Sequence, residues 1–345
     1  MKFDYQLRRY GVGVLGAAAF ATASLLSTVA VGQQSMEMKI GFATINDIQH
    51  EAAKIFAADI EKATNGRIKG RLFPAAQLGG IPRQVEGVQL GTQEMFIGPP
   101  GFTVGLNPAV QVIDAPAIFD DRAHAERTLS DPTFRAKYLA LTAPKGVEMI
   151  SLHVYDFTWF ATLSPIRTLD DLKGKKIRVL ASKIESEAVA KWGGAGVPMD
   201  YAEVLNALAQ RTIDGVRSSI VVMGGSKFFT VTKSITEDGT GLIPSVLMVS
   251  GIWLKGLPAD LQAAVRQVGR DADAKVNAVG REMVANAEKL WRDNGAEVIK
   301  LSAADRKKLF DAVRPLGDQY LANNPATKEM YDLLKQTVEK TRTKS

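Results

Sequence analysis

Residues 38–73 read MKIGFATINDIQHEAAKIFAADIEKATNGRIKGRLF, and this stretch decides the fold class. Residues 38–43 form a short apolar run that predicts a strand. Ile48, Ala52, Ile55, Phe56, Ile60 and Ala63 then recur at helical spacing, and Asn65-Gly66 supplies the stop. Residues 68–73 predict a second strand. Strand, helix and strand in this order make the repeating unit of a sheet covered by helices.

The alternation continues outward. A helix is expected near residues 85–90 and a strand near 95–98; further on come a strand at 176–180 and helices at 184–192 and 202–209. A polar and aromatic segment around 153–162 separates the two stretches, so the pattern predicts two α/β lobes built on parallel sheets. Residues 258–292 stand apart. Leu261, Val265, Val268, Ala272, Val276, Val279, Met283, Ala287 and Leu290 share one face behind Pro258, which suits a first helical turn. One helix of that length would reach about 50 Å and could cross both lobes. A break near Gly269 or Gly280 would make it two helices instead. There is no internal repeat.

The 345 residues fit about two domains at roughly 100–200 residues each. Absence of cysteine excludes a disulfide scaffold, Cys-ligated zinc, iron–sulfur clusters, thiol catalysis and a lipidated N-terminal Cys. Lys2, Arg8 and Arg9 precede an uncharged apolar run over residues 11–31, and Ala30-Val31-Gly32 offers small residues for cleavage. Residues 1–32 are therefore expected to be a secretory signal peptide, with a retained anchor as the alternative and Arg8-Arg9 leaving twin-arginine export open. Gly11, Gly13 and Gly16 match the spacing of a dinucleotide loop but follow no strand. Of the net charge of +6, removal of residues 1–32 leaves +4 on 313 residues. The expected location is the periplasm.

Most catalytic and metal-binding patterns are missing. His50, His124 and His153 form no HExxH pair or compact cluster, so no metal is expected. No GxSxG elbow, P-loop or dinucleotide loop follows residue 32, and no cofactor is expected. Asp120-Asp121 and Asp170-Asp171 each read as a helix start, where negative charge meets the N-terminal dipole. Basic residues are interspersed with acidic ones, which argues against nucleic acid. An exported two-lobed α/β chain without catalytic machinery reads as a binding protein.

Several motifs carry a family resemblance over nearly all of the chain after residue 32. They are FPAAQLGG (73–80), VEGVQLGTQEM (85–95), IDAPAIFDD (113–121), SPIRTLDDLKGKKIRV (164–179), VPMDYAEVLNALAQRTIDG (197–215) and SKFFTVTK (226–233). In this order and spacing the chain resembles the periplasmic solute-binding subunits of TRAP (tripartite ATP-independent periplasmic) transporters, the DctP-like family. The resemblance implies an α/β fold of periplasmic-binding-protein type, two lobes closing on an organic anion, with hinge strands and a long helix spanning both. It places lobe I at residues 33–155 plus 244–283 and lobe II at 156–243 plus 284–345. Its implied partners are a small organic carboxylate and integral membrane subunits of the transporter, and the chain is expected to be a monomer.

By the same resemblance, Arg178 is the arginine that pairs with the ligand carboxylate, a role for which a planar, permanently charged fork is suited. Tyr201 stands where the family places an aromatic against the ligand, and Ser218 and Ser245 where relatives present polar contacts. Pro99 and Pro100 replace the second cation or acid of some relatives, and Ser164 stands where sialic-acid-binding relatives carry a second arginine. Trp159 and Phe160, with Phe157 and Phe102 nearby, suggest aromatic walls. One arginine and apolar walls suit a monocarboxylate with an aromatic or branched aliphatic body. Two other readings stay open: a secreted enzyme using His153 and Asp156 as acid–base partners, and a sensor subunit for the same ligand class.

Overall fold

The computed structural model describes residues 35–343; the expected signal peptide lies outside them. The first half runs β1 (Met36–Gly41), α1 (Ile48–Ala63), β2 (Ile68–Phe73), α2 (Ile81–Leu90), β3 (Met95–Gly98), α3 (Arg122–Leu129), α4 (Pro132–Leu139), β4 (Val147–Met149) and β5 (His153–Thr162). The second runs β6 (Lys176–Val179), α5 (Lys183–Lys191), β7 (Ala195–Pro198), α6 (Tyr201–Ala209), β8 (Gly215–Ser219) and α7 (Ile220–Gly225). The chain finishes with β9 (Ser234–Ser250), α8 (Gly251–Gly256), α9 (Ala259–Asp293), β10 (Glu297–Ile299), α10 (Ala303–Val313) and α11 (Pro325–Thr341).

The opening βαβ unit forms as its pattern predicts. Asp47 caps α1, its carboxylate accepting the His50 amide at 3.0 Å. Asn65 and Gly66 both take positive φ, which ends the helix. β1 then pairs in parallel with β2 and β3, while β6 pairs in parallel with β7 and β8. α1 sits tight on this sheet because β2 carries Gly70. A Cβ there would fall 2.7 Å from the Ala57 Cβ and 2.9 Å from the Ile40 Cδ1.

The all-parallel expectation fails at the centre. The strand order is β2-β1-β3-β9-β5-β8-β6-β7, and β9 runs antiparallel to both β3 and β5. β9 is seventeen residues long and nearly all buried, yet its first half, SITEDGTG, is polar, so neither alternation nor an apolar run marks it as a strand. Its C-terminal end pairs with β3 and its N-terminal part with β5, joining the two parallel groups into one path. The β5–β9 register shifts between Val154 and Asp156 and again between Phe157 and Trp159.

The long helix is continuous. α9 passes through Gly269 and Gly280 without a break, which removes the two-helix alternative. Both glycines lie at close approaches: a Cβ on Gly269 would meet Ile150 at 2.7 Å, and one on Gly280 the Arg122 guanidinium at 2.7 Å. The first turns of α9 bury Leu261 and Val265 with Met38, Ile40 and Phe56. Its last turns bury Trp291, whose indole N–H donates to the Ile220 carbonyl at 3.1 Å. The helix thus packs on elements of both halves. Among the described residues, no helix is long and apolar enough to cross a membrane.

Gly70→Ala should lower stability by about 1–3 kcal/mol, because α1 and β2 must part to admit the methyl. Urea unfolding measures this, and an unchanged midpoint would show that the interface yields freely.

Candidate functional site

Open parallel sheets present their ligand crevice beyond the carboxyl ends of their strands. Here four such ends converge on one cavity. Ala43 and Thr44 follow β1, Pro99 and Phe102 follow β3, Arg178 and Leu180 come from the end of β6, and Ser218 and Ser219 from the end of β8. Ile81, Val222 and Ile243 add apolar wall, and Gln49, Tyr155 and Tyr201 add polar groups. The space between the walls is about 380 Å³, counting the part open to solvent. That is at the lower end for small-molecule sites.

Arg178 is the one charged side chain among these residues, and it is fully buried. The strand explains its placement: Ile177 and Val179 turn into the core on the opposite face, leaving Arg178 on the cavity side. Its Nε donates to the Met199 carbonyl at 3.0 Å, and its guanidinium lies over the Tyr201 ring at 5.6 Å. Nη1 and Nη2 have no hydrogen-bond partner. Burial pulls the group down to about 10, partly offset by Tyr201, Asp200 and Glu185, so it stays charged at neutral pH.

A second buried arginine shows what a saturated site looks like. Arg217 is also almost wholly buried, but it bonds Asp238 at 2.5 Å, pairs with Glu185, and reaches the Thr158 and Thr240 hydroxyls at 2.9 Å. Every arm of Arg217 is used within the protein, whereas two of Arg178's nitrogens are left for something else.

Tyr201 is held rigidly. Its hydroxyl donates to the Val222 carbonyl and can accept from the Ser226 hydroxyl, each at 3.0 Å, and its ring stacks on Phe228. Tyr155 donates to Asp47 at 2.7 Å, and Thr44 to Gln49 at 3.1 Å. Asp47 is buried, which raises its carboxyl, while its hydrogen bonds to Thr44, the His50 amide and Tyr155 act the other way.

Four of the seven expected site residues, Arg178, Tyr201, Ser218 and Pro99, meet at this cavity. Three do not. Phe160 is fully buried in the core, edge-on to Trp192. Trp159 instead faces a separate charged groove, where Lys300 sits 4.9 Å over its ring. Ser245 is buried opposite His153 in the β5–β9 ladder, its hydroxyl unpartnered. Ser164 is exposed and accepts from Lys175 at 2.8 Å. Thr44, Gln49, Ile81, Tyr155, Leu180, Ser219, Val222 and Ile243 line the cavity without having been expected there. For Thr44, Leu180 and Ser219 the signal was available, since each closely follows or ends a parallel strand.

The proposed acid–base pair is not assembled. His153 is fully buried with its Nδ1 3.1 Å from the Ser151 hydroxyl. Asp156 is raised to about 6 by burial and is bonded by Ser219 at 2.6 Å and by the Phe157 amide at 2.8 Å. Neither lines the cavity. No group of His, Asp and Glu among the described residues is arranged to hold a metal ion.

Comparison with known proteins decides the family. Residues 41–324 match the model for bacterial extracellular solute-binding protein, family 7. The chain belongs to that family. The family 7 chain is 30% identical to the 2,3-diketo-L-gulonate-binding periplasmic protein of Escherichia coli (strain K12), over 90% of this chain and 91% of that one. It superposes on a TRAP periplasmic solute-binding protein from Desulfovibrio salexigens with bound orotic acid, with a TM-score of 0.83 and 26% identity, covering 89% of this chain and 99% of that one. A second TRAP protein, from Xanthobacter autotrophicus Py2 with bound β-D-galacturonate, gives 0.80 and 26%, covering 87% and 99%. Family 7 proteins are extracytoplasmic binding subunits of transporters rather than enzymes, and they work with membrane permease subunits. The two-lobed binding-protein fold holds for this chain.

Asp114 supplies a pH test of the packing near Arg217. It is buried, with Oδ2 unpartnered, and burial together with Glu185 raises it to about 8 against partial offsets from Ser182 and Arg217. The folded protein therefore holds a proton that the unfolded chain releases, and stability falls as pH rises from about 4 to about 8. Asp114→Asn should remove that part of the decline. Melting temperatures at pH 5 and pH 9 measure it, and an unchanged difference between them would contradict the assignment.

Proposed function

We propose that this family 7 chain captures a small organic monocarboxylate with an aromatic or branched aliphatic body and delivers it to the membrane subunits of a TRAP transporter. The observation that carries this reading is the buried pair of unpartnered nitrogens on Arg178, facing the cavity. A carboxylate accepts two parallel hydrogen bonds from such a fork. The remaining walls favour an apolar body: Ile81, Pro99, Phe102, Leu180, Val222 and Ile243 surround the space, with Tyr201 and Ser218 to orient it. One charge and a small volume fit a single carboxylate better than a poly-hydroxylated acid, which needs many polar partners. The relative named for 2,3-diketo-L-gulonate and those with bound orotic acid or β-D-galacturonate support a carboxylate as the recognised group.

In this reading lobe I comprises residues 33–155 with 244–283, and lobe II residues 156–243 with 284–345. The register shift beside Asp156 supports a hinge there, since a ladder interrupted at that point bends more easily than a regular one. The ligand stabilises the closed arrangement in proportion to its preference for it. Residues 1–32 direct export and are removed, and the protein acts in the periplasm as a monomer.

A thermal-shift screen of the protein lacking residues 1–32 against a library of organic acids tests this. The expected outcome is stabilisation by a monocarboxylate, lost in Arg178→Ala while far-ultraviolet circular dichroism stays the same. Leaving a ligand charge unpaired costs roughly 2–5 kcal/mol, about thirtyfold to several-thousandfold in affinity. Equal stabilisation of the variant would remove Arg178 from the clamp.

A further inference from the structure

The loop at residues 198–201 does more than hold Arg178. Its Met199 carbonyl accepts from Arg178 and its Tyr201 lies under the guanidinium. Between them stands Asp200, which caps α6: Oδ1 accepts the Ala202 amide at 3.0 Å. The other oxygen, Oδ2, accepts the Ile81 amide at 2.7 Å, from the first residue of α2. α2 has no side-chain cap of its own, because its cap position is Gly80. One carboxylate therefore caps two helices, 119 residues apart in sequence, whose first residues, Ile81 and Tyr201, both line the cavity. The approach is too close for any side chain at Gly80, where a Cβ would lie 2.5 Å from Asp200 Oδ2. Gly80 has φ −60° and ψ 166°, a conformation open to alanine, so the contact rather than the backbone excludes one.

We propose that Asp200 is a positioning residue that latches the lobes, holding part of the population closed before an acid arrives. This rests on the reading that the lobes close around a ligand. Asp200 does not line the cavity. It lowers the cost of closing and so raises the apparent affinity by the factor through which it enriches the competent state. The negative end of the bond meets the positive end of the α2 dipole, which adds to the hydrogen bond. Latch, Met199 carbonyl and Tyr201 are consecutive in the chain, so seating of Arg178 and lobe contact are set by the same short loop.

Absence of cysteine makes the test direct. Spin labels on Leu90→Cys at the end of α2 and Glu203→Cys on α6, both exposed positions, report the separation of the two helices. The distance distribution is measured by pulsed electron resonance without any added acid, so it stands or falls independently of the carboxylate assignment. Asp200→Ser keeps a good cap for α6 but cannot reach Ile81. It should reduce the closed component about two- to tenfold, the range for one hydrogen bond. Gly80→Ala in the otherwise unchanged protein should do the same by wedging against Asp200. Added to Asp200→Ser, it should do nothing further. Unfolding midpoints of the variants identify any that lose the fold rather than the latch, and Asp200→Asn, which presents an acceptor to α6 but an amide to Ile81, gives a second reading in that event. A closed component unchanged in both Asp200 variants would overturn the latch. So would a closed component missing from the unsubstituted protein, or a wedge effect of Gly80→Ala that persists in the Asp200→Ser background.

Discussion

A permanent positive charge, buried and without a hydrogen-bonded protein carboxylate, is the constraint around which this molecule is arranged. Burying a charge is unfavourable by several kcal/mol unless partners replace the lost water. Arg217 meets that requirement inside the protein through Asp238, Glu185 and two threonines. Arg178 meets it only in part, through one carbonyl and the face of Tyr201. Of two equally buried arginines, one is saturated by protein partners and the other keeps two donors that no described residue uses.

The fold makes such a position possible. Four strand ends meet from two parallel groups, and β9 and α9 tie those groups together without filling the space between them. Because each group contributes wall residues, a bound acid would touch both halves at once. Contacts shared between two bodies let a small ligand bias a large motion, to the extent that it binds one arrangement better than the other. Asp200 fits the same logic from the protein side, since its two oxygens serve helices in different halves.

Much of this was legible in the chain itself, and the exceptions have physical causes. The opening βαβ unit, the strand bearing Arg178 and the long helix all appear where periodicity and caps place them. Asp121 heads α3 as a helix start, and Asp171 closes a capping box with Thr168 on a short 3-10 turn. β9 was not legible, because its first half, SITEDGTG, carries the polar and glycine residues of a turn and its second half lacks alternation. The site divided along the same line. Arg178 and Tyr201 lie inside local motifs, and Ser218 and Pro99 a few residues beyond one, whereas Ser245, Trp159 and Phe160 sit on β5 and β9, whose register is decided by distant partners. Thr44 and Gln49 come from the opening stretch yet carry no motif; only the convergence of strand ends brings them to the cavity. The Asp200–Ile81 bond spans 119 residues and leaves no local trace at all.

The most direct measurement is a crystal structure of the protein with the acid that stabilises it most. The expected result is the ligand carboxylate lying against Nη1 and Nη2 of Arg178, with its body toward Phe102 and Tyr201. A carboxylate held elsewhere, with both nitrogens still unoccupied or taken by a protein group, would contradict it.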